Sequence, residues 1–139
     1  LIDRTGVLLG LPFPAGKALD ALASESGPVR GFPVKLNGLT FSLSGMENKG
    51  KALAEQGRPP AEIARFTLET VASAVRRATD AARKRCPGLP VLCSGGVASN
   101  RLLRTVMSDA AFAAPQYSTD NAMGAAILAW RSLRQEAEA

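Results

Sequence analysis

Pro90 to Arg101 reads P-V-L-C-S-G-G-V-A-S-N-R, and the reading of this stretch decides the fold. The apolar run Val91-Leu92-Cys93 has the character of a buried strand, and it stops at Ser94-Gly95-Gly96. A helical pattern follows, with Val97, Leu102, Leu103 and Val106 recurring at helical spacing. Strand, paired glycines and helix start together make an anion-binding geometry: glycine lets a ligand approach the backbone, and a helix start points free N–H groups at negative charge. Asn100 is expected in the first helical turn, where its amide could reach a ribose or a base. The alternative is that Gly95-Gly96 serves only as a tight strand-to-helix turn.

Working outward, Pro87-Gly88 breaks the helix that precedes this strand. That helix, expected over 61–85 after Arg58-Pro59-Pro60, is the longest in the chain. Ile63, Phe66, Thr67, Thr70, Val71, Ala74, Val75 and Ala78 follow a 3.6-residue period, so it reads as a core helix with one wet face. Its final Arg83-Lys84-Arg85 opposes the helix dipole favourably, and RNA contact is the other use for such a cluster.

Upstream, 32–36 and 39–43 read as strands joined at Asn37-Gly38, a dipeptide suited to a two-residue hairpin. Ser44 is expected to cap the next helix, with Glu47 at the capping-box position. Ser42 and Ser44 are not nucleophile candidates, because no His is present to activate them and G-x-S-x-G is absent. Nearer the start, 1–10 and 17–25 read as short helices around the proline-rich turn L-P-F-P-A-G. Asp3, Gly16 and Asp20 bracket that turn; the plainest reading of the two carboxylates is as solvated helix-face charges.

Downstream, 111–115 reads as a short strand, followed by Y-S-T-D-N and a final helix with Met123, Ile127, Trp130 and Leu133 as its apolar stripe. The small residues Ala122, Gly124, Ala125 and Ala126 would let this helix pack closely on a neighbour. Asp120 is a good N-cap. The alternative reading of Asp120 is a carboxylate at the mouth of a phosphate site, placed to hold a metal ion.

Composition bounds the rest. With 139 residues, 46% hydrophobic and 21% charged, the chain is one domain at most, with a real core. It starts at Leu1, inside an apparent helix, and is read as a piece of a longer protein. A net charge of +5 permits a polyanionic partner without demanding one. No stretch is long and apolar enough to span a membrane. Cys86 and Cys93, with no His in the chain, cannot complete a typical structural zinc site, and buried free thiols in a cytosolic protein are expected.

Four phrases occur in order: L-I-D-R-T-G-V-L-L-G-L-P-F-P-A-G, L-T-F-S-L-S-G, S-G-G-V-A-S-N-R-L-L-R and S-T-D-N-A-M-G-A-A. Together they resemble the C-terminal half of the TsaD family, the tRNA N6-adenosine threonylcarbamoyltransferases, also called Gcp and historically labelled a glycoprotease. The resemblance covers essentially the whole chain. It implies an α/β protein of the actin-like, sugar-kinase-like ATPase (ribonuclease H-like) fold. Residues 1–139 would supply most of the second lobe, with the first lobe outside this chain.

By that resemblance, Asp3 is the carboxylate that grips the ribose of a bound nucleotide. Gly16 is its partner in the turn and Asp20 the acidic position just after it. Gly95 and Gly96 line the phosphates, Asn100 contacts substrate, and Asp120 is a metal ligand. The metal, a divalent ion (iron, zinc or magnesium), would be completed by two histidines outside this chain. The implied reaction carries threonylcarbamoyl from threonylcarbamoyl-AMP to N6 of adenosine 37 of tRNA, in the cytoplasm. The implied partners are tRNA, threonylcarbamoyl-AMP or ATP/ADP, and proteins of a tRNA-modification complex, with no membrane. Arg83 to Arg85, Arg101 and Arg104 are the cations expected to meet tRNA phosphate. No catalytic side chain is expected within this chain, and the isolated fragment is expected to be inactive. Ala15 replaces a usual glycine, Ser118 a usual cysteine, and S-G-M-E-N a usual S-G-L-K-T. These departures equally suit a non-catalytic paralogue that binds nucleotide and scaffolds a partner. The metalloprotease label finds no H-E-x-x-H in the chain.

Overall fold

The computed structural model describes residues 1–114, 116 and 122–137. In chain order the elements are α1 (Ile2–Leu8), α2 (Gly16–Ala23), the hairpin strands β1 (Leu36–Asn37) and β2 (Thr40–Phe41), α3 (Met46–Glu55) and α4 (Pro60–Arg85). They continue with β3 (Leu92–Cys93), a 3-10 turn (Gly96–Ser99), α5 (Arg101–Val106), β4 (Ala111–Phe112) and α6 (Ala122–Ala137). The chain is α/β but helix-rich, with one antiparallel and one parallel pair of strands among the described residues.

α4 is the spine. Pro60 suits its first turn, and Arg83, Lys84 and Arg85 occupy its last. Three apolar clusters meet on it. Ala64 and Leu68 pack with Leu19 and Ala23 of α2, Ala74 with Val34 and Met46, and Ala72 with Leu103 and Met107. Burial therefore spreads from Thr70 round to Ala72 and covers more than the single stripe that periodicity predicts. Small side chains make this possible. A Cβ on Gly31 would stand 2.7 Å from the Thr70 nitrogen, so the loop lies directly on the helix backbone there. Beside it the buried Thr70 hydroxyl accepts the Phe32 N–H at 2.9 Å and donates to the Phe66 carbonyl at 2.8 Å.

That bond also explains why the first hairpin strand is shorter than expected. Phe32 gives its N–H to the helix and Pro33 has none, so neither can join a ladder. The turn is shifted by one residue: Leu36 pairs with Phe41 and Asn37 with Thr40, leaving Gly38-Leu39 at the tip. Gly38 has φ +61°, which suits the first central position of a type II′ turn. This register places Leu36 and Phe41 opposite each other, both half-buried.

Four further expectations change. Ser44 does not cap α3: the N-cap is Gly45, the Ser44 hydroxyl is 2.8 Å from that of Ser42, and Glu47 pairs with Arg4 at 2.7 Å. The strand at Leu92 is not buried on both sides. β3 runs parallel to β4, with Leu92 opposite Ala111 and Cys93 opposite Phe112. Helices cover one face of this pair, so Val91 and Cys93 pack inward while Leu92 is 71% exposed. The stripe of α6 is likewise uncovered by the described residues: Ile127, Trp130 and Leu133 are exposed, with Arg134 over the Trp130 ring at 4.8 Å. Cys93 is a half-buried free thiol, but Cys86 is exposed, because it follows the last turn of α4 where the chain leaves the core.

Candidate functional site

A cleft of about 490 Å³ opens between α1, α2 and the glycine-pair turn, within the range of small-molecule sites. Ile2, Asp3, Pro14, Gly16, Lys17, Asp20, Leu68, Gly96, Val97, Ser99 and Asn100 line it. Five of the residues singled out in the sequence, Asp3, Gly16, Asp20, Gly96 and Asn100, thus share one concave surface, although they come from segments about 80 residues apart along the chain.

Each is held by its local fold. Asp3, in the first turn of α1, accepts the Ala15 N–H on Oδ1 at 2.9 Å, which folds the proline-rich turn back over the helix. No hydrogen bond to Asp3 Oδ2 is formed by the described residues. Ala15 is buried, and a Cβ on Gly6 would stand 2.1 Å from its own. Alanine at position 15 is therefore accommodated by the glycine of α1. Gly16 opens α2.

Gly95 has φ +97° and ψ 169°, a conformation essentially restricted to glycine. It swings the chain from β3 into the 3-10 turn, so the helix expected straight after the glycine pair begins only at Arg101. Asn100 is the N-cap of α5 rather than a first-turn residue, and its Oδ1 accepts the Leu103 N–H at 2.9 Å. Its Nδ2 donates to Asp20 Oδ1 at 2.6 Å. Arg101 Nε donates to Asp20 Oδ2 at 2.9 Å. The Asp20 side chain is only 16% exposed, so these two donors compensate a carboxylate largely withdrawn from water. A smaller cavity of about 200 Å³ lies against Asp20 and Arg101, lined also by Arg65 and Thr105.

Two lining residues were not singled out from the sequence. Lys17 is the one cation among the described lining residues, and no acidic side chain among the described residues pairs with it. The Ser99 hydroxyl oxygen is buried without a hydrogen-bond partner among the described residues. Their signal was adjacency: each stands beside a residue that was singled out, Gly16 or Asn100. A free buried hydroxyl in a cleft wall is a ready partner for a polar ligand group.

The cations expected to meet tRNA are mostly engaged. Arg83 bonds Asp109, Arg101 bonds Asp20, and Arg104 donates to the Ala98 and Ala113 carbonyls, both at 3.0 Å, over the Phe112 ring. Asp109 also takes Arg76 at 2.8 Å. The Arg83 hydrogen bond, with the Arg76 charge nearby, holds the Asp109 carboxyl below the usual carboxylate range. Among the described residues no group of three or more His, Cys, Asp or Glu could hold a metal ion, and Asp120 lies outside the described residues. No described helix is long and apolar enough to cross a membrane.

A family model described as tRNA N6-adenosine threonylcarbamoyltransferase matches residues 1–127. A relative of that name from Thermus thermophilus is 35% identical over 136 residues, covering 93% of this chain and 42% of the relative. One from Carboxydothermus hydrogenoformans is 34% identical over 134 residues, covering 86% and 40%. One from Paramagnetospirillum magneticum is 33% identical over 156 residues, covering 96% and 44%. The chain spans about two fifths of the length of these relatives.

Proposed function

The chain belongs to the tRNA N6-adenosine threonylcarbamoyltransferase family, and from that premise we propose that it forms the nucleotide-holding part of an enzyme that modifies tRNA. The actin-like fold that membership implies supports a position in the second lobe. The reaction moves a threonylcarbamoyl group from threonylcarbamoyl-AMP to N6 of adenosine 37. The new bond joins N6 to the carbamoyl carbon. The bond from that carbon to the phosphate oxygen breaks, AMP leaves, and N6 gives up a proton.

The observation that carries this reading is the convergence of Asp3, Gly16, Asp20, Gly96 and Asn100 on one cleft. In the proposed complex Asp3 takes the ribose hydroxyls on the oxygen that Ala15 leaves free. The Gly95–Gly96 turn admits the phosphate to the backbone. Lys17 and the Ser99 hydroxyl take its oxygens, and Asp20 with Asn100 keeps the turn at a fixed distance from α2. Such positioning is a large part of how bound reactants are brought to react.

The described residues do not make a metal site. We propose Asp120 as one ligand of a divalent ion whose other ligands lie outside this chain. The test is Asp120→Ala in the full-length protein, read by metal content and by transfer of labelled threonylcarbamoyl to tRNA. Loss of both is expected; unchanged turnover and metal content would sink the assignment.

A second reading, a nucleotide-binding paralogue without catalysis, is favoured by one observation. Asn100 already spends both polar groups of its side chain within the chain. Nucleotide binding without any transfer to tRNA by the full-length protein would decide for it. Peptide hydrolysis draws no support from a chain that has no His to activate a serine.

A further inference from the structure

One surface of the molecule carries cations that form no salt bridge among the described residues; the acid that stands between them on α4, Asp80, is taken by Arg76 at 3.1 Å. Residues 26–46 and 81–108 contain no Asp or Glu, and the fold lays the hairpin of the first segment against the final turns of α4. Two contacts register them. Arg77 Nη1 donates to the Val34 carbonyl at 2.6 Å, and Arg85 Nη2 lies 3.4 Å from where a Gly38 Cβ would stand. Lys35 lies between these contacts along the chain, and Lys84 neighbours Arg85. Lys35, Lys84 and Arg85 are exposed, and none has an acidic partner among the described residues. Arg83 belongs to the Asp109 cluster instead.

We propose that this ridge, Lys35 with Arg77, Lys84 and Arg85, docks the phosphate backbone of the tRNA substrate. The inference rests on the reading that the protein acts on tRNA. Cations without compensating acids are what a polyanion selects, through release of its counterions. The exposed hairpin tip offers Leu39 and no aromatic ring, so the contact is to phosphate, which positions, rather than to stacked bases. The placement also suits a long ligand. α4 passes the cleft at Leu68 and ends at Arg85 about 26 Å further along its axis. A nucleic acid with its reacting base at the cleft extends at least that far.

The test is equilibrium binding of fluorescently labelled tRNA to the full-length protein over a series of salt concentrations. The charge reversal Lys35→Glu/Lys84→Glu/Arg85→Glu is compared with a reversal of equal size elsewhere, Lys51→Glu/Arg131→Glu/Arg134→Glu. The expected result is at least a tenfold loss of tRNA affinity for the ridge variant alone. Its log-affinity should also depend less steeply on log-salt, by about one unit of slope for each phosphate that is no longer neutralised. Its ADP affinity should be unchanged. Wild-type tRNA affinity and slope in the ridge variant overturn the proposal and leave the tRNA reading standing. An equal loss in the control variant also overturns it, as an effect of net charge. Absence of tRNA binding by the wild type overturns both. Should the reversal abolish ADP binding as well, the neutral variant Lys35→Gln/Lys84→Gln/Arg85→Gln decides, and full tRNA affinity there overturns the proposal.

Discussion

Asn100 and Asp20 are joined side chain to side chain at 2.6 Å across 80 residues of chain. The same asparagine caps α5 through its other polar atom. One residue therefore ties the glycine-pair turn to α2 and starts the helix behind it, and Arg101, the first residue of that helix, adds a second bond to the same carboxylate at 2.9 Å.

Removing that amide should cost more than a cap. Asn100→Ala is expected to destabilise the full-length protein by about 1–3 kcal/mol, from the lost cap and from a charged acceptor left short of a donor. Asp20→Ala combined with it should cost less than the sum of the single changes, because the two act through one bond. Chemical denaturation of the four proteins measures this, and strict additivity would contradict the coupling.

The fit of α1 against the proline-rich turn is a matter of one methyl group. Gly6→Ala puts a Cβ 2.1 Å from that of Ala15 and should destabilise by about 1–3 kcal/mol through overpacking. Gly6→Ala/Ala15→Gly restores the space and should recover most of the loss in thermal melts. Failure of the second change to rescue would mean that the turn does not pack as described.

Ser99→Ala should separate ligand binding from folding. The hydroxyl is buried and unpartnered among the described residues, so its loss should leave stability equal or slightly higher. ADP affinity should fall by about two- to tenfold, the value of one hydrogen bond. Isothermal titration with ADP and with adenosine gives the comparison. A loss seen for ADP and not for adenosine places the hydroxyl at the phosphate; equal affinities of variant and wild type for ADP exclude the contact.

The corner where α4 meets α5 should be acid-sensitive. The Arg83 hydrogen bond and the nearby Arg76 charge hold Asp109 below the usual carboxylate range, so its folded-state value lies under its unfolded one. The stability it contributes is present above the ordinary carboxylate value and is lost as pH falls through the lowered one. Asp109→Asn should flatten that part of the acid limb in a pH series of thermal midpoints, and an unchanged limb would show that the pair contributes nothing.

The local elements were legible because their signals are local. The 3.6-residue period marks α4, the proline-rich turn separates α1 from α2, and Gly95-Gly96 marks the sharp turn after β3. The hairpin register was not legible, since Thr70 of α4 takes the Phe32 N–H that would otherwise have extended the strand. Which cations are free was not legible either. Arg83, Arg101 and Arg104 look as available as Lys84 and Arg85 until the fold brings Asp109, Asp20 and two carbonyls to them.

By itself, then, the sequence determined most of the helices, the family and the residues that gather at the cleft. All of these depend on residue type and short-range spacing. The tertiary structure alone decided that Asp20 and Asn100 bond each other, that Ser99 is left without a partner among the described residues, and that the basic residues divide into a neutralised cluster and an open ridge. Those outcomes depend on distances between segments far apart in the chain, and such distances are set by how helices pack on α4 rather than by any local pattern.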